Sequence, residues 1–369
     1  MRNYAVYYFC IILAAIFAEL SQIFAKDKNN AFKLNKFFYI TSFLFLFVLI
    51  GLRKCGVGVD DYVYQDIFYD INNGGMIDTF FNIFLEPGYL LLNRIVGFFT
   101  DDFQVLLAIA SFIPLFCYYK MFEYYRREID FFTAIIVFGF VFVLYFFGIV
   151  RLFISTGICA YAFRYFFEKK QKKFNAFIIL AAMFHYSALI LIILNLLINK
   201  EHNKKNLTKF YLIIALGIPL VFIVISKFIF PYVSFKYAGY VLNNNFKISL
   251  LNFDKVPFII LYYIFYGYLI KSNKNIKMHI VIFSLSIIIS VYSSLVDFGR
   301  LEWYFAIEQC ILLPMLVKSF SRSRNAFINF ILVPLVLVYC FLYSNRMFHA
   351  GDREHLYNNY QNVIFNIKK

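Results

Sequence analysis

Apolar runs separated by short polar breaks recur from one end of the chain to the other. They cover residues 4–25, 37–52, 103–122, 131–150, 152–167, 174–198, 210–230, 256–270, 278–298, 301–317 and 327–344. Most are long enough, as helices, to cross about 30 Å of hydrocarbon. A weaker apolar stretch, 88–99, follows Glu86-Pro87, and Pro87 suits the first position of a helix. The pattern predicts an all-α polytopic membrane protein, a single integral-membrane domain over residues 1–369, with a long loop at 53–102. The bundle should hold roughly ten to eleven transmembrane helices. Only Arg2 precedes the first run, which is too long for a signal segment and lacks a small-x-small cleavage site, so it reads as a retained span.

Orientation follows from where the basic residues fall. Lys26, Lys28, Lys33 and Lys36, then Lys120, Arg126 and Arg127, then Lys169, Lys170, Lys172 and Lys173 sit between runs in short clusters. So do Lys271, Lys274 and Lys277, and Lys318, Arg322 and Arg324. Such clusters mark cytoplasmic loops. The loop after Leu52 carries Asp60, Asp61, Asp66, Asp70, Asp78 and Glu86 and falls on the opposite, extracytoplasmic side, as does the amino terminus. Lys200, Lys204, Lys205 and Lys209 break the alternation if 174–198 crosses once. A re-entrant hairpin bent near His185-Tyr186 keeps every cluster inside and is the preferred reading. A through-span compensated by a missed segment near Pro231 is the alternative.

Composition agrees with this frame. The chain is 62% hydrophobic and only 15% charged, with mean hydropathy +0.70, which excludes an ordinary soluble domain. Its net charge of +15 belongs to the loop clusters and needs no nucleic acid as partner. Of the six cysteines, Cys10, Cys117, Cys159, Cys310 and Cys340 lie inside apolar runs and Cys55 lies in the loop. None has metal-ligand or C-x-x-C spacing, so they read as small buried hydrophobes, and no metal or other cofactor is expected.

A few ionisable residues do not fit a purely structural reading. Arg151 and Arg300 each sit between apolar runs with no loop around them, and both share the extracytoplasmic end with Arg53. Taken singly, each could be an interfacial anchor or a structural ion pair, for instance Arg300 with Asp297 or Glu302. Together beside an acidic loop they point to an anion, and a guanidinium fork matches phosphate oxygens. His185, inside an apolar run, is either a packed histidine bonded to a carbonyl or a proton carrier. Glu86 is either a helix-start residue favoured by the dipole or a general base. Asp60 competes for the base role, or holds Arg53 or Tyr64 in place. Tyr64 and its neighbours Tyr62, Tyr69 and Tyr89 could stack on sugar rings, although aromatic excess is ordinary at membrane interfaces.

These residues also form an ordered set. Arg53 followed by Gly58, Asp60, Tyr64 and Phe68 resembles a signature of the EpsG family, the Wzy-like polymerases of bacterial exopolysaccharide, capsule and O-antigen repeat units. Glu86-Pro87-Gly88-Tyr89 with Asn93 resembles its E-P-G segment, Arg151 its helix-opening Arg, Phe184-His185-Tyr186-Ser187-Ala188-Leu189 its F-H-x-S-A-L, and Arg300 before Tyr304 its late Arg-x-x-x-Tyr element. Leu152 stands where the family has Gln, and Val59 where it has Thr.

The resemblance implies a multi-pass protein of the bacterial inner membrane. It would join undecaprenyl-diphosphate-linked oligosaccharides, one donating its chain to another, without a metal. Glu86, Asp60 and His185 would then be the candidate catalytic groups, and Arg53, Arg151, Arg300 and Tyr64 the candidate diphosphate- and substrate-binding groups. The resemblance leaves open a chain-length regulator as a further partner. An O-antigen ligase or a lipid-linked glycan flippase is the alternative, although the inverted repeats common in transporters are not evident.

Overall fold

The computed structural model describes residues 4–28, 31–74, 85–198, 255–296, 300–321, 326–349, 357 and 360–364. Among these the chain is almost wholly helical, with one short antiparallel pair of strands, Lys26–Lys28 and Ala31–Lys33. Tyr4–Ile23 (α1), Phe103–Tyr124 (α5) and Asn329–Phe348 (α14) are long and apolar enough to cross a membrane. Lys36–Gly51 (α2) and Phe131–Phe146 (α6) are shorter apolar helices, and α6 passes through a π-helical stretch at Phe138–Val143. The expected run 210–230, Asp78, Asp297, and the basic residues Lys200 to Lys209, Arg322 and Arg324 lie outside the described residues.

Local sequence accounts for where these helices start. Asp102 caps α5 by accepting the Gln104 amide at 2.8 Å, and Asp130 caps α6 by accepting that of Thr133 at 2.8 Å. The loop helices Asp61–Gly74 (α3) and Pro87–Phe99 (α4) follow α2 and pack on each other. Val150–Phe167 (α7) packs along α5, while α1 lies against α2 and α6.

Three boundaries differ from the sequence reading. The run 131–150 ends as a helix at Phe146, because Gly148 turns the chain at φ +89° before α7 begins. The run 256–270 is two helices, Val256–Ile264 (α9) and Tyr266–Ser272 (α10), broken at Phe265. Ile276–Val296 (α11) follows as one helix, but 301–317 divides into Trp303–Ala306 (α12) and Gln309–Ser321 (α13).

The run 174–198 folds as a hairpin. Gln171–Ala182 (α8) has 12 residues and so rises only about 18 Å. The chain then turns at Met183–Phe184–His185 into a 3-10 helix, Tyr186–Leu194. Asn195 returns beside Asn175, near the start of α8, with its Nδ2 donating to Asn175 Oδ1 at 2.7 Å. Nine residues is long for a 3-10 helix, whose bonds are poorer than α-helical ones.

The bundle has two chemically distinct ends. At the basic end, Lys318 donates to Gln22 at 2.8 Å, Gln22 donates to the Arg126 and Ile129 carbonyls, and Arg126 Nε donates to the Phe32 carbonyl. At the other end, Tyr4 stacks on Phe348 at 4.4 Å, and the described tail closes over the end of α2. Tyr360 donates to the Leu49 carbonyl at 2.9 Å, Asn362 to that of Val48 at 2.8 Å, and the Val363 amide to that of Leu52 at 2.9 Å. The last carbonyls of a helix have no partner within it, so this tail supplies what α2 cannot.

Candidate active site

The loop after α2 is held shut by a buried ion pair. Arg53 Nη2 donates to Asp61 Oδ1 at 2.8 Å and its Nε to Asp61 Oδ2 at 3.3 Å, while the Gly58 amide donates to the same carboxylate at 2.6 Å. The Arg53 guanidinium also donates to the Ile50 carbonyl and lies over the Phe147 ring at 4.9 Å. Its other edge is therefore used as well. Gly58 is required here, because a Cβ would stand 2.6 Å from Gly148 Cα and 2.4 Å from Asp61 Oδ1. The loop is thereby pressed onto the turn that launches α7, at Gly148, three residues before Arg151.

Arg151 leaves that turn and meets Glu86, its Nη1 donating to Glu86 Oε2. Glu86 occupies the cap position of α4 but makes no side-chain cap bond, so the carboxylate serves Arg151 and not the helix start. The Arg151 guanidinium also lies 5.8 Å from the centroid of Tyr64, which meets Tyr89 edge to face at 5.6 Å. Burial pushes the Tyr64 phenol above its ordinary range, with Arg151 pulling the other way. Arg151 Nε has no hydrogen-bond partner among the described residues.

The E-P-G segment docks onto the hairpin bend. The Gly88 amide donates to the Met183 carbonyl at 2.7 Å, and a Cβ on Gly88 would lie 2.8 Å from that oxygen. Glu86 is thus fixed beside the turn that carries His185. A chain of hydroxyls continues from there. Ser187 Oγ bonds His185 Nδ1 at 2.5 Å and Tyr304 Oη at 3.0 Å, and Tyr304 Oη bonds Ser155 Oγ at 3.0 Å. Arg300 is exposed, and both it and Arg151 lie close enough to act electrostatically on His185 and Tyr64.

Residues 36–362 match the family model of the EpsG family. The chain belongs to the EpsG family. No curated protein and no solved structure matches it. EpsG proteins are a Wzy-like polysaccharide polymerase family, which makes this chain a membrane protein of polysaccharide biosynthesis.

The EpsG-type motifs converge in space more than they do in sequence. The structure joins Glu86 to Arg151, sets Tyr64 against that arginine and places the pair beside the bend that carries His185, with Arg300 within electrostatic range of His185 and Tyr64. Arg53 is not one of that group. Expected as a phosphate holder, it is 2% exposed and fully engaged by Asp61, Ile50 and Phe147. Asp60, expected either to act as base or to hold Arg53 or Tyr64, contributes a backbone carbonyl to the Tyr64 amide at 3.0 Å and keeps its carboxylate half-exposed. The carboxylate that holds Arg53 is its neighbour Asp61. Arg300 has no carboxylate partner among the described residues, and Glu302 pairs with Lys255 at 3.1 Å. Sequence reasoning passed over Ser155 and counted Asp61 only among the acids of the loop. It quoted Ser187 and Tyr304 without a role. Among the described residues, no three His, Cys, Asp or Glu side chains converge as a metal site.

Proposed function

We propose that this chain polymerises polyprenyl-diphosphate-linked oligosaccharide repeat units at the extracytoplasmic face of a bacterial inner membrane. The observation that carries this reading is the Glu86–Arg151 pair, held beside the bend that carries His185 by the bond from Gly88 to Met183, at the end of the bundle remote from the basic clusters. By the positive-inside rule the basic end is cytoplasmic. On that topology the 174–198 segment is a re-entrant hairpin whose bend lies among protein side chains, as non-helical backbone at membrane depth requires. The helices on either side then cross in alternation, with loop 53–102 and the tail outside.

The chemistry follows from those groups. A hydroxyl of one lipid-linked unit attacks the anomeric carbon of the other, and the bond from that carbon to diphosphate breaks. Arg151 and Arg300 stabilise the charge that develops on the departing diphosphate oxygens. His185 accepts the hydroxyl proton through Nε2, its Nδ1 being engaged by Ser187. Glu86 orients Arg151, and Tyr64 with Tyr89 forms an aromatic wall for the sugar side. Arg53 and Asp61 hold the loop, and Asp60 stands at its rim. Two bound lipids in one membrane plane supply proximity.

The test is glycan sizing in a strain lacking this chain. Loss of long chains with single repeats still reaching the surface supports polymerisation. Unchanged chain lengths overturn it. Loss of single repeats from the surface indicates a flippase or ligase instead.

A further inference from the structure

A second polar cluster lies within the bundle, away from Arg151. His279, on α11, and Glu308, between α12 and α13, are both fully buried, with Nδ1 and Oε2 2.6 Å apart. Phe167, the last residue of α7, stacks on the imidazole at 3.9 Å, and Tyr125 at the end of α5 meets it edge-on at 5.5 Å. The pair leaves a nitrogen and an oxygen unused. His279 Nε2 and Glu308 Oε1 are buried with no hydrogen-bond partner among the described residues, and so are the hydroxyls of Tyr125 and Tyr262. Both tyrosines lie close enough to Glu308 to feel its charge.

The bonding inventory points to a specific ligand. A carboxylate oxygen accepts, a phenol donates and accepts, and the free imidazole nitrogen does one or the other. Tyr125 meets His279 ring to ring, and none of the four orphaned atoms bonds another. Buried polar atoms in proteins are bonded to protein or to ordered water. Water is the group small enough, and able to donate and accept at once.

We propose that the His279–Glu308 junction is an internal water site that completes the bonding of His279, Glu308, Tyr125 and Tyr262. The site also has a mechanical role. His279 stands near the start of α11 and Glu308 just after α12, so the hydrated pair ties α11 to the link between α12 and α13. This inference does not rest on the polymerase reading, since its test needs no substrate.

The experiment is X-ray hydroxyl-radical footprinting of the full chain in lipid nanodiscs. Radicals generated from bound water oxidise the side chains it touches. Tyr125 and Tyr262 should be oxidised well above Phe138, which is equally buried in apolar surroundings. Oxidation of both tyrosines at the Phe138 level overturns the proposal in the wild-type chain alone. Glu308→Gln, which keeps an oxygen acceptor, should retain the labelling, and Glu308→Leu should abolish it. Labelling that survives in a folded Glu308→Leu protein also overturns the proposal, because it would reflect breathing of the bundle and not water held by the carboxylate.

Discussion

Two arginines at the same end of the bundle each meet a carboxylate from loop 53–102, and they do opposite things. Arg53 and Asp61 are 2% and 0% exposed and use both edges of the guanidinium, a ring face and a backbone amide. Arg151 and Glu86 are 19% and 5% exposed, joined through one nitrogen of Arg151, with Nε unpartnered among the described residues. The first pair is closed and holds the loop against the turn before α7. The second leaves Arg151 partly exposed and within electrostatic range of His185. Residue type alone therefore does not separate the two arginines; the number of donors left over does.

The largest effect that separates the two pairs is on chemistry. Arg151→Lys should reduce polymerisation by about a hundredfold or more at normal protein level, because an ammonium cannot reproduce a two-nitrogen contact to phosphate. Arg53→Met should instead reduce the amount of folded protein. It strands the Asp61 charge in the interior, which costs about 3–5 kcal/mol. Adding Asp61→Leu should restore most of that stability, since replacing both partners by apolar groups is close to neutral. Thermal unfolding in detergent checks the pair. If Arg53→Met is fully stable yet inactive, Arg53 belongs to the site after all.

Smaller effects sharpen the same contrast. Tyr304→Phe removes the hydroxyl between Ser155 and Ser187 and should cost about 1 kcal/mol of stability. It should also slow polymerisation less than His185→Ala does, as measured by chain length. On the loop itself, burial and the neighbouring Asp61 carboxylate push the Cys55 thiol up to about 11. Its alkylation should be slow at pH 8 and rise with pH towards that value, since only the thiolate reacts. Rapid alkylation at pH 8 would mean that the loop opens around Arg53.

The helical frame was largely legible because hydrophobic length is a strong signal. Residues 103–122 predicted α5 to within two residues, and 4–25 predicted α1 equally closely. The breaks inside 256–270 and 301–317 were not legible. Nothing apolar distinguishes Phe265 from its neighbours, and the division of 301–317 at Ile307-Glu308 is set by contacts between helices. The choice between Asp60 and Asp61 was likewise out of reach. α3 begins at Asp61, and that start turns Asp61 inward to Arg53 while Asp60 remains at the rim. The hydroxyl chain from Ser155 to His185 was hidden for another reason, since serines in apolar runs usually bond their own helix. Glu86, by contrast, was singled out for a helix-start or a base role, and its partner was not foreseen. Its carboxylate caps nothing, and what it meets is an arginine 65 residues away in sequence.

The central claim is that Arg151, and not Arg53, is the arginine of the reaction. It is tested most directly by sizing the surface glycan in a strain lacking this chain, complemented in parallel with Arg151→Lys and with Arg53→Met/Asp61→Leu, protein levels being matched. The account predicts long chains from the double variant and little beyond single repeats from Arg151→Lys. Normal chain lengths from Arg151→Lys, with the double variant inactive at full protein level, would contradict it.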